Sequence, residues 1–105
     1  MTARRVQVLL YAAAPVGDPN AVWAAYHGIS ARLSGTIGLV RNALLEQVDG
    51  SGRFVVLSEW SSMDAFRDWE ATAGHHLITA PLRPYQDASG GSTFGIYTVA
   101  AEYRG

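Results

Sequence analysis

Apolar residues recur along this chain in two rhythms, and the switches between them mark out its elements. Residues 5–14, RVQVLLYAAA, form an apolar run of strand length, stopped by Pro15 and Gly17. Val22, Tyr26, Ile29 and Leu33 then recur at intervals of four, three and four, the stripe of one helix face. Asp18 and Pro19 predict its start: the carboxylate can accept from a first-turn N–H, and proline loses nothing at the first helical position. Gly35 and Gly38 predict its end. Residues 39–48 read as a second strand, DGSG at 49–52 as a hairpin turn, and residues 53–60, RFVVLSEW, as a third strand antiparallel to the second. Ser61 or Ser62 caps a second helix with Asp64 in its first turn; its inner stripe is Met63, Phe66, Trp69 and Ala73, interrupted by Gly74. HHLITAPLRPYQ adds a turn or two of helix before Pro81 and Pro84 close it, DASGGS is a loop, and residues 93–103 are the last strand.

The order strand, helix, strand, strand, helix, strand predicts an α+β, ferredoxin-like βαββαβ domain spanning residues 1–105. Its helices would cover one face of a four-stranded antiparallel sheet. The strands are apolar on both faces, with Val6, Val8 and Leu10 alternating with Leu9, Tyr11 and Ala13. A second sheet is therefore expected on the other face, and a homodimer packed sheet on sheet supplies one.

Composition narrows the classes. With 49% apolar and 16% charged residues the chain is slightly oily for a monomer, which again suits a homodimer. The net charge is −1 and the basic residues do not cluster beyond Arg4 and Arg5, which argues against a nucleic-acid partner. There is no cysteine, so disulfides, thiolate nucleophiles and cysteine-ligated metals are excluded. All eight basic residues are arginine, a compositional hint of a GC-rich genome. Residues 1–15 faintly imitate a signal peptide, but Gln7 interrupts the apolar run and the run is short, so a first strand is preferred and a cytoplasmic location expected. No segment approaches the length of a membrane span.

A strand ending FVVLSEW, the polar step SSMD, a helix opening AFRDW and a histidine beyond it resemble the antibiotic biosynthesis monooxygenase family. The likeness runs from Val6 to Val99 and is most specific from Phe54 to Trp69; HHLITAPLRPY is also similar to the segment that follows in members from aromatic polyketide gene clusters. The resemblance implies a dimeric α+β barrel. It also implies oxidation of an anthrone-like or naphthacenone-like phenol to a quinone, with O2 as co-substrate and no metal, flavin or haem. Trp60 matches the tryptophan that lines the cavity in such oxygenases. They commonly carry an asparagine four residues earlier, where this chain has Val56, and some carry a tyrosine on the next helix, where it has Phe66.

Cofactor-free oxygenation needs a base, a dry pocket and a donor for the oxygen that gains charge. His75 and His76 are the first candidates for the base. Neighbours on a helix point about 100° apart, so at most one enters a cavity. His76, seven residues after Trp69, continues the inner stripe and is favoured over His75; the alternative is a solvated histidine at a helix end. Trp60 and Trp69 offer flat faces to a polycyclic ligand, or ordinary core packing. Trp23 and Tyr26 flank or join the first helix stripe and could reach the cavity, whereas His27 beside them reads as a surface residue. Asn42 interrupts an apolar strand and shares its face with Leu44, not Arg41; it is a substitute donor for the missing asparagine or a residue of the dimer seam. Phe66 adds an apolar contact, and Arg83 with Tyr85 flanks Pro84 as a lid, a clamp or a rim loop. Glu59 points to the opposite, dimer side of the sheet and needs a partner such as an arginine.

The reading is a cofactor-independent monooxygenase acting on a small aromatic polyketide in antibiotic biosynthesis. Its rivals are a non-oxidative cyclase or isomerase using the same pocket and base, which Val56 and Phe66 favour, and a non-catalytic binding or accessory protein. Haem degradation has a histidine available on the second helix but lacks the first-strand asparagine it also needs.

Overall fold

A computed structural model describes residues 3–72, 74 and 79–105. The elements are β1 (Val6–Ala13), α1 (Asn20–Leu33), β2 (Leu39–Glu46), β3 (Arg53–Trp60), α2 (Met63–Glu70), a 3-10 segment (Ala80–Tyr85) and β4 (Phe94–Thr98). The strands form one antiparallel sheet in the order β2-β3-β1-β4. This is the ferredoxin-like arrangement the strand and helix order predicts.

Four boundaries differ from the sequence expectation. Helix α2 ends at Glu70, short of the Ala73 expected on its stripe: the Ala71 N–H bonds the Arg67 carbonyl, and the Thr72 N–H and hydroxyl both bond that of Trp69, closing the last turn. Pro81 and Pro84, expected to close a helix, lie inside the 3-10 segment. Helix α1 begins one residue later than Asp18 capping would set it. Pro19 occupies the cap position, and no side chain caps the helix. Asp18 is instead held through its backbone, donating to the Pro15 carbonyl and accepting from the Ala21 N–H. Strand β2 stops at Glu46 rather than at residue 48, because the turn begins with Gln47, whose N–H bonds the Arg53 carbonyl. Gly50 and Gly52 take positive φ in that turn, and hydrogen bonds from Ser51 hold the Asp49 carboxyl below the usual carboxylate range. Strand β4 covers Phe94–Thr98 instead of 93–103 because its template ends: Val6 pairs with Thr98, and Arg5 offers Val99 a last carbonyl. The cap of α2 falls on Ser62, whose hydroxyl accepts from the Ala65 N–H at 3.1 Å, with Asp64 in the first turn.

Even-numbered residues of β1 and β3 face the helices. Val22, Ile29 and Leu33 of α1 pack with Ala12, Phe54, Val56 and Leu82 in one cluster. Phe66 of α2 packs with Val6, Val8 and Trp60 in another. Leu10, Leu39 and Trp69 touch both.

The opposite face of the sheet is organised around Glu59, which is 3% exposed. Register places it between Gln7 of β1 and Arg41 of β2. Gln7 Nε2 donates to its Oε1 at 2.9 Å, and Arg5 Nη1 and Arg41 Nε lie 3.3 and 3.8 Å from its Oε2. Arg5 also pairs with Glu102. The expected arginine partner of Glu59 is thus present, and twice over. A buried carboxylate with two cations and an amide around it avoids the cost of an unpaired charge. Further along the same face Tyr11 hydrogen-bonds Tyr97, which raises the Tyr11 hydroxyl above the ordinary phenol value.

Gly38 shows how the second helix is set against the turn that precedes β2. Its φ is +85°, and a Cβ there would sit 2.5 Å from the Ala65 Cβ of α2. Gly38→Ala is expected to cost about 2–4 kcal/mol, combining left-handed backbone strain with overpacking. Gly17→Ala is its control: φ is +83° but nothing lies within 4 Å, so about 1–2 kcal/mol is expected. Urea denaturation of the two variants measures both; equal losses would remove the packing contribution at Gly38.

Candidate active site

Helices and sheet do not close completely on one another. Between them lies a cavity of about 300 Å³. Such a volume is at the lower end of small-molecule sites. Its floor is the helix-facing side of the strands, with Val8 and Leu10 from β1, Val56, Ser58 and Trp60 from β3 and Asn42 from β2. Tyr26, Ile29, Ser30 and Leu33 of α1 form one wall, and Phe66, Trp69 and Glu70 of α2 another. Leu82 and Arg83 of the 3-10 segment contribute a third side, and Phe94 and Ile96 of β4 the open edge. Phe94 and Ile96 are 51% and 38% exposed, so the rim beside β4 is apolar.

An aromatic cluster stands at one end. Trp60 and Trp69 lie with ring centroids 5.1 Å apart and planes tilted 32°, and Phe66 meets Trp60 edge-on at 5.6 Å. Trp60 is 1% exposed, so most of its surface is committed to packing, while Trp69 is half-buried. Both rings pack in the core and both line the cavity. The Trp60 indole N–H donates to Ser58 Oγ at 3.0 Å.

The polar groups gather at the β2 side. Tyr26 hydroxyl and Ser30 Oγ donate to Asn42 Oδ1 at 2.5 and 2.8 Å. Asn42 therefore faces the cavity rather than the outer seam, as its shared face with Leu44 requires. Arg41, one residue earlier, turns to Glu59.

Trp23 is a correction. It lies outside the cavity lining, 43% exposed, with its ring 5.9 Å from that of His27. One residue beyond Val22 is a rotation of about 100°, which carries Trp23 off the buried stripe. Tyr26, Asn42, Trp60, Phe66, Trp69 and Arg83 all line the cavity. His75 and His76 lie outside the described residues. Glu70 before them and Thr79 after them both line the cavity. Ser58, like Glu70 and Thr79, lines the cavity without having been singled out in the sequence. The signal for Ser58 was available: it lies midway between Val56 and Trp60, and alternation puts all three on one face. Among the described residues no group of three His, Cys, Asp or Glu side chains could hold a metal ion. No described helix is long and apolar enough to cross a membrane.

The family model described as Antibiotic biosynthesis monooxygenase matches residues 21–80. Among solved structures, SnoaB, a cofactor-independent oxygenase from Streptomyces nogalater, is similar with a TM-score of 0.75 and 25% identity, covering 95% of this chain and 97% of that one. A haem-degrading protein from Mycobacterium tuberculosis shares the fold at a TM-score of 0.70 and 19% identity, over 98% and 99% of the two chains. Protein SchA from Streptomyces halstedii is 26% identical over 100 residues, which is 95% of this chain. The chain spans 26% of the length of that relative.

Proposed function

The chain belongs to the antibiotic biosynthesis monooxygenase family, and from that premise we propose that it is a cofactor-independent monooxygenase oxidising a polycyclic aromatic polyketide, an anthrone-like or naphthacenone-like phenol, to a quinone. The observation that carries this reading is a cavity of about 300 Å³ walled by Trp69, Trp60 and Phe66 at one end, with Ser58 beside Trp60 and with Tyr26, Ser30 and Asn42 on the β2 side. Flat rings stack on the aromatic group, and ring oxygens hydrogen-bond to Asn42 and Ser58. The 25% identity to a cofactor-independent oxygenase over 95% of the chain supports the same chemistry.

In this proposal His76, or His75 in its place, takes a proton from the ring carbon opposite the carbonyl. The resulting carbanion gives its electrons to O2. One oxygen atom becomes the new carbonyl, and the other leaves as water with the two hydrogens lost from carbon. Oxygen is the oxidant throughout, and no metal, flavin or haem is required. The chain acts as a homodimer: the outer sheet face carries Leu9, Ala43, Leu45, Val55 and Tyr97 around the buried Glu59, and a second sheet would cover it. Its place is the cytoplasm, in an antibiotic pathway.

Val56 and Phe66 on the cavity wall favour one rival, a non-oxidative cyclase or isomerase using the same pocket and base. The readings separate under argon. The oxygenase forms no quinone from an anthrone-type phenol until air is admitted, whereas a cyclase converts its substrate at the same rate in both atmospheres. Product formation that ignores oxygen would overturn the oxygenase reading.

A further inference from the structure

Two hydrogen-bond donors on neighbouring strands line the cavity with their acceptor atoms already engaged. Asn42 of β2 and Ser58 of β3 are direct cross-strand partners, and both line the cavity. Opposed residues on one face of an antiparallel pair hold their Cβ atoms about 4.5–5.5 Å apart. Asn42 Oδ1 accepts from Tyr26 and Ser30 at 2.5 and 2.8 Å. Those lengths belong to O–H···O bonds, so the amide oxygen faces α1 and Nδ2 remains for another acceptor. Ser58 Oγ accepts the Trp60 indole N–H, and an indole can only donate. The serine proton is therefore directed to a different acceptor. Val8, Leu10 and Val56 nearby supply no polar side chain to take either proton.

The geometry points to a two-donor oxygen station, Asn42 Nδ2 with Ser58 Oγ, that holds the carbonyl or phenolate oxygen of a planar aromatic ligand lying against Trp69. This inference rests on the reading of the cavity as a polycyclic-aromatic site. A ring oxygen has two lone pairs, and both bonds strengthen as it gains negative charge on loss of a ring proton. The station replaces, from β2 and the next β3 position, the polar group that Val56 lacks. Tyr26 and Ser30 are positioning residues: their bonds fix which way the amide of Asn42 points.

Binding of anthrone and of dihydroanthracene, the same three-ring skeleton without the oxygen, tests this through quenching of tryptophan fluorescence. Wild type is expected to favour anthrone by at least about tenfold, the size of one net hydrogen bond. Asn42→Asp keeps both bonds from α1 but turns the free donor into an acceptor. It should weaken anthrone about 10–100-fold and leave dihydroanthracene unchanged. Ser58→Ala should weaken anthrone about 3–10-fold with the same selectivity. The ratio of the two ligands is read within each variant, so a partly unfolded variant, which weakens both alike, cannot imitate the result. Retention of the full preference in both variants overturns the station. Equal binding of the two ligands by wild type overturns it while leaving the aromatic cavity standing. Failure of wild type to bind either ligand overturns the cavity reading and the station with it.

Discussion

Trp60→Ala is expected to cost about 3–5 kcal/mol of folding stability. The ring is 1% exposed and fills the junction of β3 and α2, against Phe66 and Trp69. Truncation removes those contacts, leaves a void that the sheet cannot close, and deprives Ser58 of its donor. A loss of that size is a large part of the roughly 5–15 kcal/mol that holds a domain folded. Trp60→Phe keeps most of the packing and should cost less, about 1–2 kcal/mol, chiefly through the lost N–H. Urea denaturation measures both. A loss below about 1 kcal/mol for the alanine variant would mean that the ring is not a packing element, contrary to its burial. The pair also matters for function. Low activity in Trp60→Ala would reflect a damaged wall, so Trp60→Phe is the variant that reports on ligand contact.

His76→Ala is expected to lower kcat by about 10²–10⁴-fold, the usual contribution of a general base. His75→Ala, the neighbour not assigned as the base, should change it by less than about threefold. The wild-type rate should fall on acidification through the imidazole range, ~6.5 for the free side chain. The sign follows from the chemistry: a protonated imidazole cannot accept the substrate proton. Steady-state assays of both variants across pH check this. Full turnover by both would remove the histidines from the mechanism and transfer the role of base to Glu70, the carboxylate that lines the cavity among the described residues.

Much of the architecture was legible because it depends on alternation. Val56, Ser58 and Trp60 share one face of β3, and Glu59 between them must take the other. That rule alone placed Glu59 on the outer face with an arginine for company and put Asn42 and Arg41 on opposite sides. Helical spacing likewise marked Val22, Ile29 and Leu33. What was not legible depends on backbone pairing and on helix angle rather than on residue type. The end of β4 is set by where β1 stops offering carbonyls, not by the apolar residues that continue past Thr98. The start of α1 is set by a turn through Pro15 that engages the Asp18 backbone, so a suitable capping side chain goes unused. Trp23 resembles a cavity residue because Tyr26 and Ser30 on the same helix are, and its angle around the helix removes it. Ser58 is hidden from the family comparison because the polar groups of such oxygenases fall at the positions of Val56 and Phe66. The polarity of the site lies instead on α1, on β2 and one alternation further along β3.

The central claim is that this cavity lets a deprotonated aromatic ring meet molecular oxygen without a cofactor. Dissolved-oxygen uptake by the purified protein, stripped of metal and incubated with anthrone-type phenols, tests it most directly. The account predicts enzyme-dependent uptake of one O2 for each quinone formed, undiminished by chelator and abolished in His76→Ala. Absence of enzyme-dependent uptake across a series of such phenols would contradict it.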